Sequence, residues 1–92
     1  MLRVRVKYLN VYCPLTGKKE EFVQFRDRLT VGELLQNLFQ SYRTGFKDAI
    51  VDEKNVVRPH VWILVNQERV KDMNRKLTGA DTVVFSRPPM GG

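Results

Sequence analysis

The chain opens with a strict alternation of apolar and basic residues. The apolar positions are Leu2, Val4, Val6 and Tyr8, and the basic positions between them are Arg3, Arg5 and Lys7. A period of two is typical of a strand with one buried face. We expect residues 11–12 to extend this strand after a break, residues 14–17 to form a turn, and residues 20–25 to return as the second strand of a hairpin. Strict alternation cannot bury Phe22, Val23 and Phe25 together, so one apolar side chain is expected to be exposed.

A helical pattern follows the hairpin. Thr30 and Glu33 have the spacing of a capping box, in which the threonine side chain caps the helix and the glutamate reaches back to its backbone. The next apolar residues recur at intervals of three and four: Val31, Leu34, Leu35, Leu38, Phe39 and Tyr42. This spacing predicts a helix with one buried face, and Gly45 is the expected terminator.

The second half of the chain predicts short strands. We expect a helical turn at residues 47–51 within a polar loop, and then a buried central strand at residues 61–65, an uninterrupted apolar run that follows Pro59. Residues 68–70 form a short partner strand. A glycine-containing turn at residues 77–81 leads into a last strand at residues 82–86.

This order of elements predicts a two-layer α+β fold. One main helix packs on one face of a mixed four- to five-stranded sheet, and the helix serves as a right-handed crossover that brings the first and last strands side by side at the centre of the sheet. The arrangement is the β-grasp, or ubiquitin-like, fold. We expect one domain at residues 1–87 and a flexible C-terminal tail at residues 88–92.

Composition and charge narrow the function. A chain of 92 residues that is 42% hydrophobic supports one small core and no deep catalytic cleft. The net charge is +6, with most of the excess in the first quarter of the chain. A basic surface can attract nucleic acid or an acidic protein, although it can equally be a solvated face that keeps a small domain soluble.

Few residues could carry catalysis or hold a metal. His60 is the only histidine and Cys13 the only cysteine, so a histidine-rich metal site and an internal disulfide are excluded. A Cys13–His60 dyad lacks any flanking motif, and there is no glycine-rich phosphate loop. We therefore expect no bound cofactor or metal. Without a secretion signal or a long apolar run, a soluble cytoplasmic protein is the simplest interpretation.

The C-terminal residues have a distinctive composition. The chain ends Arg87-Pro88-Pro89-Met90-Gly91-Gly92. Two prolines end strand pairing and extend the chain, because they offer no N–H to a neighbouring strand. Two glycines without side chains allow the backbone to enter a narrow channel. A terminal carboxylate on such a segment can be adenylated and then attacked by sulfur or nitrogen.

Three segments resemble the molybdopterin synthase small subunit and related sulfur carriers. Residues 58–66, RPHVWILVN, resemble their central strand and turn, although Asn66-Gln67 replaces the commoner Asn-Gly. Residues 77–83, LTGADTV, resemble their turn into the last strand, with Ala80 at a position where the pattern has glycine or another small residue. The ending PPMGG is similar to their P-P-x-x-G-G tail, with one residue, Met90, where the family usually has two.

The resemblance implies a ubiquitin-like sulfur carrier. An adenylating enzyme similar to ubiquitin-activating enzymes would use ATP to activate Gly92, which then becomes a thiocarboxylate and donates sulfur to a synthase subunit, most simply in molybdopterin biosynthesis. Gly91 would give clearance, and residues 87–90 would line the partner's channel. The chain would not be an enzyme, but a substrate of its partners or a non-catalytic subunit of a synthase.

We expect partners to dock on the sheet face opposite the helix, near Phe22, Phe25 and Phe85, where exposed apolar side chains would have a function. Two alternatives remain open at this point. The same tail suits a protein modifier that is joined to target lysines through Gly92. A basic nucleic-acid-binding or scaffold β-grasp domain, with an incidental glycine tail, is the other.

Overall fold

The computed structural model describes residues 1–88, which form seven strands and three helices. In chain order they are β1 (Leu2–Tyr8), α1 (Tyr12–Thr16), β2 (Glu20–Phe25), β3 (Leu29–Thr30), α2 (Val31–Ser41), α3 (Phe46–Ile50), β4 (Trp62–Val65), β5 (Glu68–Arg69), β6 (Lys76–Leu77) and β7 (Thr82–Ser86).

The main sheet has the strand order β2-β1-β7-β4-β5. Strands β1 and β7 are parallel, and the other neighbours are antiparallel. The predicted adjacency of the first and last strands is therefore confirmed, as is the β-grasp fold. The strand predicted at residues 61–65 is present as β4 (Trp62–Val65), and it has a neighbour on each side, β7 and β5. Strand β7 takes the centre because it pairs with both β1 and β4, and β4 lies one strand from the edge.

The capping box and the apolar stripe of α2 are confirmed. The Glu33 backbone N–H donates to Thr30 Oγ1 at 3.1 Å, and the Thr30 N–H donates to Glu33 Oε1 at 2.9 Å. The stripe packs against the sheet from Val31 to Phe39. The helix does not end at Gly45, however. It ends at Ser41, and Gly45 adopts a φ of 93° at the start of α3 instead.

The link between β1 and β2 differs from the predicted one. Tyr12 does not extend β1 but begins the single helical turn α1, after Asn10 has reversed the chain with a φ of 55°. Gly17 closes this turn with a φ of 74°, and its N–H donates to the Cys13 carbonyl at 2.9 Å. The predicted turn at residues 14–17 is thus mostly helical. Since a left-handed backbone suits asparagine and glycine, these two residues set the path of the connection.

The core lies between the main sheet and the helices. Aromatic rings fill its centre: Tyr8 stacks on Phe85 at 5.7 Å between centroids, and Phe46 meets both rings edge-on. A second, two-stranded sheet closes one end, where Leu29 of β3 pairs with Leu77 of β6. The sequence did not predict this sheet, because two-residue strands carry no readable period.

Candidate partner-binding site

The tail leaves the domain from the end of the central strand. β7 ends at Ser86, opposite Trp62 of β4, and is followed by exposed Arg87 and half-buried Pro88. On the other side of β7, the turn after β1 is bonded to the same strand, since the Leu9 N–H donates to the Phe85 carbonyl at 3.0 Å. The root of the tail is therefore fixed on both flanks. The predicted partner-channel residues Pro89, Met90 and Gly91, and the predicted modified residue Gly92, lie outside the described residues.

Tyr12 lies buried at this root. Its side chain is 1% exposed, and its hydroxyl has no hydrogen-bond partner within residues 1–88. Burial raises the pKa of Tyr12, and the nearby Arg87 guanidinium only partly offsets this effect. The Tyr12 hydroxyl therefore lies at the root of the tail, close enough to Arg87 for the guanidinium charge to act on it.

The outer face of the sheet is opposite α2. Along β1, Val4, Val6 and Tyr8 point towards the helix, so the basic residues between them point outwards. In the same way β7 and β4 turn alternate side chains to this face, and those side chains are half-buried. The cross-strand neighbours on this face form an apolar strip with basic residues beside it: Lys7 faces Val84, Val84 faces Leu64, and Leu64 faces Arg69.

Arginine side chains lie over two aromatic rings on this face. Phe22 is 46% exposed, and the guanidinium carbons of Arg3 and Arg5 lie 4.3 and 5.3 Å from its ring centroid. Arg69 lies 4.5 Å from the centroid of Trp62. Each cation–π contact covers an aromatic face in the free protein and leaves a positive charge at the rim. The surface therefore suits a partner with apolar and acidic groups.

Only one of the three predicted docking residues lies on this face. The expectation for Phe25 and Phe85 is wrong, because their side chains are 7% and 0% exposed and face the helix layer. Phe22 is on the outer face as predicted. Sequence reasoning missed Trp62, Leu64 and Val84. The alternation of β7 contained the signal for Val84, because a strand that buries Phe85 turns its neighbour to the opposite face.

Glu21 ties the hairpin to the end of α2. The hydroxyls of Tyr8 and Tyr42 both donate to its Oε2 at 2.6 Å, and Lys18 Nζ lies 3.4 Å from Oε1. Burial alone would raise the pKa of Glu21, but the two tyrosine hydrogen bonds and the lysine charge together lower it. Burial and the same carboxylate raise the pKa of Tyr8. This network fixes β2, whose Phe22 belongs to the outer face.

Asp81 plays a similar part at the opposite end of β7. Its carboxylate accepts from Asn66 Nδ2 and from the Thr78 N–H, both at 2.8 Å, and Asn66 Oδ1 accepts from the Thr82 N–H at 3.0 Å. Burial opposes ionisation, but these donors lower the pKa of Asp81. Asn66 and Gln67 both have positive φ, the geometry of a tight hairpin turn. The two sequence segments that contain Asn66 and Asp81 therefore serve to set the start of β7.

Other chemistry is sparse in the part of the chain that the structure describes. Over residues 1–88, no three His, Cys, Asp or Glu side chains group as a metal site would require. No helix among the three described is long and apolar enough to cross a membrane. Cys13 is a half-buried free thiol in α1, and His60 is exposed before β4.

The sequence matches the ThiS family over residues 6–92. No curated protein matches it significantly. Several solved structures share its fold. SAMP1 from Haloferax volcanii is 18% identical, with a TM-score of 0.83 and coverage of 98% of this chain and 99% of that one.

Two further structures show the same likeness. A putative molybdopterin converting factor subunit 1 from Pyrococcus furiosus is 23% identical, with a TM-score of 0.77 and coverage of 97% and 100%. A chain of the BexX/CysO complex from Amycolatopsis orientalis is 22% identical, with a TM-score of 0.76 and coverage of 97% and 99%. At these identities the structural likeness establishes the β-grasp fold.

Proposed function

The chain belongs to the ThiS family, and from that premise we propose that it is a sulfur carrier whose C-terminal Gly92 becomes a thiocarboxylate. The observation that carries the proposal is the extent of the family match, which runs through residue 92 and so includes the Gly-Gly ending. We further propose that the sulfur serves cofactor biosynthesis of the molybdopterin type. The likeness to the Pyrococcus converting-factor subunit supports that choice.

The proposed chemistry has two steps. The Gly92 carboxylate attacks the α-phosphorus of ATP and expels pyrophosphate, which leaves an acyl-adenylate. Hydrosulfide then attacks the acyl carbon and expels AMP with one of the original carboxylate oxygens, so that a C–S bond replaces a C–O bond. Gly91 lacks a side chain that would obstruct this approach. Catalysis, ATP binding and the supply of sulfur belong to the partners, and this chain itself binds no cofactor.

The outer sheet face is the proposed docking surface. Phe22, Trp62, Leu64 and Val84 supply its apolar contacts, and arginines at its rim can pair with acidic groups of a partner. The BexX/CysO complex, which contains a chain of the same fold, supports the idea that such a domain works in complex with another protein. The partners proposed here are an adenylating enzyme similar to ubiquitin-activating enzymes and a sulfur-accepting synthase subunit.

Intact mass spectrometry tests the carrier function. The protein is incubated with its activating enzyme, ATP and a sulfide source, and the expected product carries one sulfur-for-oxygen exchange on the C-terminal peptide. A variant without Gly92 should remain unmodified, whereas Gln40→Ala, an exposed change on the solvent side of α2, should be loaded normally. Sulfur uptake by the variant without Gly92 would refute the proposal.

A surface variant tests the docking face separately. Phe22→Ala removes a half-exposed ring and its contacts with Arg3 and Arg5, so the free energy of unfolding should fall by about 1–2 kcal/mol and the domain should stay folded. The rate of loading at limiting activating enzyme should nevertheless fall several-fold. If loading stays at the wild-type rate, Phe22 lies outside the partner interface.

A protein modifier joined to lysines is the second candidate. The likeness to the Haloferax small archaeal modifier protein SAMP1 favours it. Both functions begin with the same adenylate and differ in whether sulfur or a lysine amine attacks it. Non-reducible, higher-mass adducts that require Gly92 in cell extract would support the modifier, and their absence alongside efficient sulfur loading would exclude it.

A further inference from the structure

A groove with an apolar floor lies at the edge of the domain, on the helix side of strand β5. Its larger part is a cleft of about 370 Å³ with an aliphatic floor formed by Val57, Val61, Val70 and Met73. A smaller depression of about 220 Å³ shares Val57 and Met73 with this cleft and continues it towards α2. Because the two depressions share these lining residues, we treat them together as the edge groove. None of the proposed steps at Gly92 uses it.

The wall of the edge groove is held in place. Val56 stands at its mouth and is 58% exposed. The loop that carries it is fixed by the Asp52 carboxylate, which accepts from the backbone N–H groups of Lys54 at 2.8 Å and Val56 at 3.0 Å. A bridge between Val51 and Val57 closes the loop. The hydrogen-bonded loop therefore holds the exposed Val56 side chain in a defined position.

All the charged side chains that line the larger cleft are basic. Arg58, Arg69 and Lys71 line it, and no aspartate or glutamate does. Arg58 is held by a hydrogen bond from its Nε to the Asp48 carbonyl at 2.8 Å. Arg69, whose guanidinium lies over the Trp62 ring of the outer face, borders the cleft from that side. Three cations around an aliphatic floor complement a ligand that combines acidic and aliphatic groups.

The edge groove opens near the root of the tail. Strand β4 runs antiparallel to β7, with Trp62 opposite Ser86, so Val61, which precedes Trp62, lies at the end of the sheet from which the tail leaves. Val61 is part of the groove floor. A protein that engages the tail therefore reaches the same end of the domain as the groove.

We propose that the edge groove binds an acidic peptide segment of a partner protein, with aliphatic side chains on the valine floor and carboxylates against Arg58, Arg69 and Lys71. The binding stands on the groove alone, and only the identity of the partner, as the protein that acts on the tail, rests on the proposed function. A nucleic acid would satisfy the cations but gain nothing from the aliphatic floor of the larger cleft, which no aromatic ring lines for stacking.

The test is a titration of the isotope-labelled full chain with a synthetic peptide, Asp-Asp-Val-Leu-Val-Asp, followed by NMR. Backbone amide shifts should concentrate at residues 55–61 and 69–73. Two control peptides should bind much more weakly: one with lysine for each aspartate, and one with serine for each aliphatic residue. Neither an activating enzyme nor Gly92 takes part, so this result is independent of sulfur loading.

Matched variants locate the site. Lys71→Glu should weaken peptide binding by about tenfold, because it turns attraction into repulsion at the rim. Lys76→Glu makes the same charge change on an exposed lysine outside the groove lining and should have an effect below about twofold. Val56→Ser should weaken binding by about fivefold through lost apolar contact, with little risk to folding at an exposed position.

Four results would overturn the proposal. They are the absence of peptide binding, shifts centred on Arg3, Arg5 and Phe22 of the outer face, equal weakening by the two lysine variants, and equally tight binding of an RNA oligonucleotide at the groove. Shifts confined to the groove, together with selective loss in Lys71→Glu, would support it.

Discussion

Replacing Tyr8 with phenylalanine would remove one hydroxyl from the network around Glu21 while leaving the ring in place. The Tyr8 side chain is 1% exposed, so no water takes over the lost hydrogen bond at its own site. Its hydroxyl lies 2.6 Å from Glu21 Oε2. The ring continues to stack on Phe85 and to meet Phe46 edge-on, which confines the change to the polar contact.

The expected loss follows from the charge and burial of the acceptor. A hydrogen bond to a charged group contributes about 1.5–3 kcal/mol, and the lower part of that range applies because Glu21 keeps Tyr42 and Lys18 as partners. We expect Tyr8→Phe to lower the free energy of unfolding by about 2 kcal/mol, or about 10 °C in Tm for a domain of this size. Tyr42→Phe, at a half-buried position, should cost about 1 kcal/mol.

The loss should depend on pH in a defined direction. The folded-state pKa of Glu21 is lowered below its ordinary value of 4.5. The stability that Glu21 contributes is therefore fully present above that value and is lost as the pH falls through the folded-state pKa. The gap between wild type and Tyr8→Phe should be largest near neutral pH and shrink on acidification, because a protonated carboxyl is a weaker acceptor.

Chemical denaturation across this pH range, followed by circular dichroism, measures the effect. Glu21→Gln provides a second test at neutral pH, since Tyr8→Phe should cost less in that background than in wild type. A loss that stays constant from neutral to acid pH would show that Tyr8 stabilises the fold through its ring environment and not through the Glu21 charge. Additive effects of the two substitutions would refute the reasoning in the same way.

Two further predictions concern single hydroxyls. Thr30→Ala removes the side-chain half of the capping box and should lower the free energy of unfolding by about 1 kcal/mol. Ser41→Ala, at the exposed end of α2, should change it little. The two variants are compared by their denaturant midpoints, and equal effects would contradict the cap assignment. Tyr12→Phe removes a buried hydroxyl that has no partner within residues 1–88, so stability should be retained or rise by up to about 1 kcal/mol. A lowered Tm in Tyr12→Phe would indicate that the hydroxyl does have a stabilising partner.

The candidate site was only partly predictable. Phe22 could be identified as a possible exposed residue because alternation in residues 20–25 cannot bury all three apolar side chains. Phe85 was misassigned because a hydrophobic run does not specify which of its two faces meets the helix. The edge groove had no signal in the sequence, since its floor joins Val57 and Val61 to Val70 and Met73 from a separate segment. Only the pairing of β4 with β5 brings these segments together.

Local periodicity by itself determined the helix stripe, the capping box, most strands and the order of elements, because each depends on contacts within a few residues of the chain. Tertiary structure alone decided which face of each strand is covered. A strand with apolar residues on both faces, such as Val83 to Phe85, can be turned either way. Helix α2 packs on one side of the sheet only, and that contact buries Phe85 and leaves Val84 at the outer face.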